Sequence, residues 1–87
     1  MYHVEWASKK VERQLEKLPS DDQERVLEAI IALADNPRPF GVHKLEDDLY
    51  RIRIGRYRVI YCIDDKDRLV VITKVAKRSE RTYRHLR

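Results

Sequence analysis

The sequence predicts an α+β fold, in which two N-terminal helices pack on one face of a mainly antiparallel four-stranded sheet and leave the other face open and basic. Three observations carry this. Residues 50–61, Tyr-Arg-Ile-Arg-Ile-Gly-Arg-Tyr-Arg-Val-Ile-Tyr, alternate apolar and cationic side chains with period two on both sides of Gly55-Arg56, the pattern of a tight β-hairpin with one buried and one charged face. Ahead of the hairpin, two stretches repeat apolar residues at helical spacing. Behind it, residues 69–76 are rich in Val and Ile, which suits another long strand.

Residues 2–6 alternate well enough for a short first strand. Ser8 is a reasonable N-cap for a first helix, in which Val11, Leu15 and Leu18 recur until Pro19 ends it. Ser20-Asp21-Asp22-Gln23 then has the form of a capping box, and Val26, Leu27, Ile30, Ile31, Leu33 and Ala34 give the second helix a wide apolar stripe, stopped by Asn36-Pro37. Residues 38–48 read as a loop in which Leu45 anchors the chain to the core. In the hairpin, glycine at the first central position of a two-residue loop suits a type II′ turn, which pairs Ile54 with Tyr57, Arg53 with Arg58 and Ile52 with Val59. Tyr50, Ile52, Ile54, Tyr57, Val59 and Tyr61 then share the buried face. Arg51, Arg53 and Arg58 share the other. If Ile63 pairs with Leu69 beyond the polar turn at residues 64–67, then Leu69, Val71, Thr73 and Val75 extend the buried face. Lys74 would fall opposite Arg58, while Ile60, Cys62, Val70 and Ile72 fill the rest of the charged face.

The 87 residues leave room for one domain, residues 1–87, and one modest core. The longest uninterrupted apolar run, residues 29–34, is far short of the ~20 residues of a membrane span, so no membrane role is expected. His3 and Glu5 stand where a signal peptide would be basic and apolar, and the single Cys62 fits a reducing cytoplasm. Charge is lopsided: residues 1–50 hold seven Lys/Arg against eleven Asp/Glu, and residues 51–87 hold twelve against four. With Arg outnumbering Lys in the basic half, the partner it suits is phosphate or another polyanion.

Like charges directly opposite on a sheet are unfavourable by a few tenths up to about 1 kcal/mol, so Arg53 against Arg58 points to an anion rather than to stability. The chain has no Gly-rich phosphate loop, no Cys pair and no H-E-x-x-H, and its histidines at 3, 43 and 85 lack the spacing of a local metal site. Neither metal nor cofactor is expected. Clustered arginines with tyrosines and His85 suffice for one reaction without either. The 2′-OH of RNA can attack its own neighbouring phosphate, so a protein need only align the strand, neutralise developing charge and move protons. DNA lacks that hydroxyl and could be held but not cut this way.

The run over residues 50–61, followed by a hydrophobic strand, Lys77-Arg78 and then Tyr83, resembles the bacterial and archaeal RelE/ParE toxin superfamily, in particular its RelE branch. The resemblance covers nearly the whole chain. It implies a RelE-like fold with a C-terminal tail, and a toxin of a type II toxin–antitoxin system that cleaves mRNA, typically in the ribosomal A site, until a cognate antitoxin binds it. It also implies that the toxin alone does not bind DNA. By resemblance the strand's basic pair is Arg51 and Arg53, the arginine of the G-x-Y-R stretch is Arg58, the arginine after the last strand is Arg78 and the tail tyrosine is Tyr83. Lys74, Lys77, Arg81 and His85 join as RNA-binding candidates. The strand pair is often lysine in the family. Tail spacing also varies, so Arg81 could replace Arg78, and His85, like the tail histidine of some relatives, could replace Tyr83 as acid/base. The ParE branch, which poisons DNA gyrase without cleaving nucleic acid, shares the scaffold and is the main alternative; a basic RNA-binding module without chemistry is the other.

Overall fold

In the computed structural model, residues 1–78 are described. The elements run β1 (His3–Trp6), α1 (Lys9–Glu16), α2 (Ser20–Ala32), β2 (His43–Glu46), β3 (Leu49–Ile54), β4 (Tyr57–Asp64) and β5 (Leu69–Lys77). They build a sheet of five strands, not four, in the order β1-β5-β4-β3-β2. Only β1 and β5 are parallel. The added strand is β2, taken from the stretch expected to be a loop. Pro37, Pro39 and Gly41 all precede His43, so they interrupt the chain before the strand starts and cost it no pairing. Every residue of β2 is exposed, as befits a charged edge strand, and Leu45 faces solvent at 41% exposure instead of anchoring the core.

The helices start where expected, but their caps differ. Ser8 is extended at the head of α1, yet its side chain makes no capping hydrogen bond. At α2 the cap position belongs to Pro19, and Ser20 is already helical, so the expected capping box is out by one residue. Gln23 instead donates its side-chain amide to the carbonyls of Glu16 and Leu18, both at 3.2 Å, and ties α2 to the end of α1. The last helical residue of α2 is Ala32, and a turn carries the chain to Asn36, whose N–H reaches the Ala32 carbonyl at 3.2 Å. Pro37 follows and could not have continued the helix.

One buried cluster joins Val11 and Leu15 of α1, Val26 and Ile30 of α2 and Leu33 to Tyr50, Ile52, Tyr57, Val59, Tyr61, Ile63, Val70, Ile72 and Val75 of the sheet. Burying an aliphatic side chain of this size contributes roughly 1.5–3 kcal/mol, so this cluster is what holds the sheet in place. The alternation of β3 and β4 therefore decides which side chains remain for the opposite face.

The hairpin register is the expected one: Ile54 opposite Tyr57, Arg53 opposite Arg58, Ile52 opposite Val59. Gly55 has φ +60°, while Arg56 is not among the positive-φ residues, as a type II′ turn requires. The register between β4 and β5 is not the expected one. Ile63 pairs with Val70 and Asp64 with Leu69, and a bulge between Ile60 and Tyr61 leaves Thr73 as the extra residue on β5. Its hydroxyl donates to the Ile60 carbonyl at 3.0 Å. The one-residue shift at the turn brings Val70 and Ile72 inward, and the bulge then brings Val75 inward, in place of the unbroken odd series.

Candidate nucleic-acid interface

Side chains that point away from the buried cluster belong to the open face, and three of them are arginines on adjacent strands. Arg53 and Arg58 are direct cross-strand partners. Since Ile54 and Tyr57 flank the turn as a hydrogen-bonded pair, Arg53 and Arg58 form the non-hydrogen-bonded kind, in which side chains lie closest. Arg51 stands opposite Ile60, and Ile60 stands opposite Lys74. Lys74 thus shares this face, but one row away from where the sequence puts it. Ala76, not Lys74, is the β5 partner of Arg58, because the register is shifted by one residue at the turn and by a second at the Thr73 bulge.

Arg78 follows β5 and is bound to the hairpin turn. Its backbone N–H donates to the Arg56 carbonyl at 2.6 Å and its guanidinium to the Gly55 carbonyl at 3.2 Å. That places a fourth arginine beside the other three. Burial pushes the Arg51 pKa down, and the charges of Arg53, Arg58 and Arg78 push it further, so the other three guanidinium groups all act on Arg51. Lys77 is opposite Tyr57 at the start of β4 and is exposed. Arg81, Tyr83 and His85, also expected at the site, lie outside the described residues.

Among the described residues no carboxylate answers this charge. Among the described residues the ion pairs are His3 with Glu5, Arg25 with Asp22, and Arg38 with Asp65. Glu46 and Asp48, just ahead of β3, make none with Arg58. The Nε atoms of Arg51 and Arg58 are both out of contact with solvent and have no hydrogen-bond partner among the described residues. A buried N–H left unpaired costs roughly 1–3 kcal/mol, more when charged, so two of them on neighbouring strands need a reason outside the fold. An anion with several acceptor oxygens, a phosphate above all, would satisfy both.

The remainder of the open face differs from the sequence reading in two residues. Ile60 and Cys62 are there, half-buried. Val70 and Ile72 are fully buried in the core, and Val71 and Thr73 take their places. Cys62 is partly buried, and burial with the nearby Asp48 charge pushes its thiol pKa up, which is the wrong direction for a nucleophile.

The three tyrosines of the hairpin are spent on the opposite side. Tyr57 donates to Asp22 at 2.7 Å, Tyr61 donates to the Pro37 carbonyl at 2.7 Å, and the Tyr50 hydroxyl accepts from Arg38 Nε at 3.2 Å. None faces the arginines. The sequence reading missed that the Gly55 carbonyl orients Arg78; a backbone acceptor leaves no signal in side-chain patterns. It also missed Arg38, whose guanidinium holds Asp65 at 2.9 and 3.2 Å while stacking 5.2 Å from the Tyr50 ring centroid.

Known proteins share both the sequence and the geometry. The family described as the ParE toxin of the type II toxin–antitoxin system parDE matches residues 4–82. A relative from Methanocaldococcus jannaschii named as a RelE1 toxin is 36% identical over 75 residues, covering 80% of this chain and 83% of its own length. RelE in the archaeal RelE–RelB complex of Pyrococcus horikoshii superposes with a TM-score of 0.83 at 40% identity, over 91% of this chain and 97% of that one. A chain of the RelBE2 toxin–antitoxin complex of Mycobacterium tuberculosis gives 0.75 at 31% identity, over 91% and 93%. The isolated E. coli RelE toxin gives 0.77 at 22% identity, over 99% and 96%, and shows the same fold.

Proposed function

The chain belongs to the RelE/ParE superfamily of type II toxin–antitoxin toxins, on its RelE branch, and from that premise we propose that it is a metal-independent endoribonuclease cleaving mRNA at the ribosomal A site. One observation carries the reading: the Nε donors of Arg51 and Arg58, unpaired among the described residues, on a face whose cationic charge meets no carboxylate among them. The reaction is attack of a ribose 2′-OH on the adjacent phosphate, which expels the 5′-oxygen and leaves a cyclic phosphate. Arg51 and Arg53 grip the backbone, helped by Lys74, Lys77 and Arg81. Arg58 and Arg78 donate to the phosphate oxygens as negative charge grows there, an electrostatic contribution larger in the transition state than before it. Tyr83 takes the 2′-OH proton or protonates the leaving oxygen, with His85 as the alternative group. Arginine itself holds its proton too tightly for that task.

The protein works in the cytoplasm as one domain and is silenced by a cognate antitoxin, the kind of partner seen with RelE in the Pyrococcus and Mycobacterium complexes. Incubating purified protein with ribosomes and mRNA in EDTA tests the nuclease claim: cut message is expected, and intact message at high protein removes it. The family description that names ParE supports a second reading, a non-catalytic inhibitor of DNA gyrase. Under that reading the same protein leaves message intact and blocks supercoiling.

A further inference from the structure

The end of β5 that leads into Arg78 has a strand on only one side. On its outer side β1 stops at Trp6, opposite Ile72, and the Ala7 N–H makes the next bond, to the Ile72 carbonyl at 2.8 Å. Beyond Ile72, among the described residues, no strand flanks β5 on that side. The Arg78 N–H points toward β4, since it donates to the Arg56 carbonyl. Alternation along the strand turns the Val75 N–H the other way, toward the open edge. Val75 is only 4% exposed, so this donor needs a partner from the protein.

The helix layer supplies it. On α1, Gln14 follows Val11 by one helical turn and precedes Leu15, the two buried residues of that helix, so it stands at the margin of the surface packed on β5. Its Oε1 accepts the Val75 N–H at 2.9 Å. The bulge is thus fastened from both sides: the Thr73 hydroxyl donates across to the Ile60 carbonyl at 3.0 Å, and Gln14 holds the chain just after it. What this fastening fixes is the phase of the strand. If the register of Tyr61 with Ile72 ran on without the extra residue, Lys74 would fall opposite Val59 in the core and Val75 opposite Arg58. Arg78 would slip one residue past Arg56 and lose its two bonds to the hairpin turn.

We propose that Gln14 is a positioning residue for RNA cleavage, an inference that rests on the nuclease reading: by holding Val75 it keeps the end of β5 in the bulged phase and so aims the Arg78 guanidinium at the phosphate. Gln14 itself touches no RNA. The task needs only an acceptor oxygen at that reach, so a glutamate serves in its place, whereas a methionine of the same length brings only a weak acceptor. Without the acceptor Arg78 is still present but less well oriented, which slows the chemical step more than it weakens binding.

The test measures kcat and KM of Gln14→Met and Gln14→Glu on ribosomes carrying mRNA, with amide hydrogen exchange of the free proteins. Gln14→Met should lower kcat about tenfold and leave KM within about twofold, and Gln14→Glu should restore the rate. In an Arg78→Ala background the same methionine should cost less than about twofold, because the group it misplaces is gone. Exchange should quicken at the Val75 and Arg78 amides of Gln14→Met while β3 stays protected. A substitution that merely destabilised the fold would open β3 as well and would slow cleavage in either background. Wild-type cleavage by Gln14→Met, unchanged exchange at Val75, or an equal tenfold loss in the Arg78→Ala background overturns the inference and leaves the nuclease reading standing. Message left intact by the wild type removes that reading and this inference together.

Discussion

On the helix-covered side of the sheet, the hydroxyls of Tyr50, Tyr57 and Tyr61 each have a partner; on the opposite side the Nε atoms of Arg51 and Arg58 are also out of solvent and have none. Both sets come from the same hairpin and differ only in the parity of their positions. On the first face the three hydroxyls are settled by the chain itself, and the tyrosines brace α2 and the Pro37 turn against the strands. On the second, like charges are paired across strands and two donors are left unsatisfied. The contrast sets a surface that the chain completes by itself beside one that the proposed RNA ligand would complete. It should therefore break in opposite ways under mutation.

The largest effect is expected at Arg58. Arg58→Ala should lower mRNA cleavage by about a hundredfold to a thousandfold, the cost of removing one donor aimed at transition-state charge. Its urea midpoint should stay unchanged or rise, since the variant also removes a buried unpaired N–H. Full cleavage with unchanged folding would refute the arginine site.

Ile72→Ala should reverse that pattern. Ile72 is fully buried, and truncating such a side chain costs roughly 2–5 kcal/mol of folding stability. Measured at a temperature where the variant remains folded, its cleavage rate should match wild type. A loss of activity without a loss of stability would tie the two faces together and sink the comparison.

Tyr61→Phe is smaller, about 1 kcal/mol for a hydrogen bond to the Pro37 carbonyl. Tyr61 also carries a pH signature. Burial pushes its phenol up to about 12 from the ordinary 10.0, with the Arg38 charge opposing and Tyr50 adding to the rise. A raised folded value means the unfolded chain loses this proton first. The associated stability is thus present below pH 10 and lost as pH climbs towards 12. Unfolding followed between these values, with phenolate absorbance as a second probe, should show the loss in wild type and less of it in Tyr61→Phe.

The parity that divides the faces was legible in the sequence because a period-two pattern around a glycine turn leaves one register that buries the apolar set. Arg51, Arg53 and Arg58 were found that way. Lys74 was placed a row wrong because the pairing is shifted by one residue at the turn and by another at the Thr73 bulge, and the apolar run from Leu69 to Ile72 reads the same in either phase. The edge strand at residues 43–46 was hidden by the opposite problem: exposed on every residue, it has no apolar periodicity to detect.

The smallest effect isolates the electrostatic part of the contrast. Arg53→Gln removes one member of the Arg53–Arg58 pair but keeps a long polar side chain on an exposed position of β3. Stability should increase by a few tenths of a kcal/mol, since like charges opposite each other on a sheet cost about that much. Arg56→Gln is the control, because Arg56 lies in the turn and faces no cross-strand cation. It should change nothing. The gain in Arg53→Gln should vanish in about 1 M salt, where the screening length falls to roughly 3 Å. A gain that survives salt would trace to strand propensity, and the arginine pair would then have imposed no electrostatic cost for a phosphate to relieve.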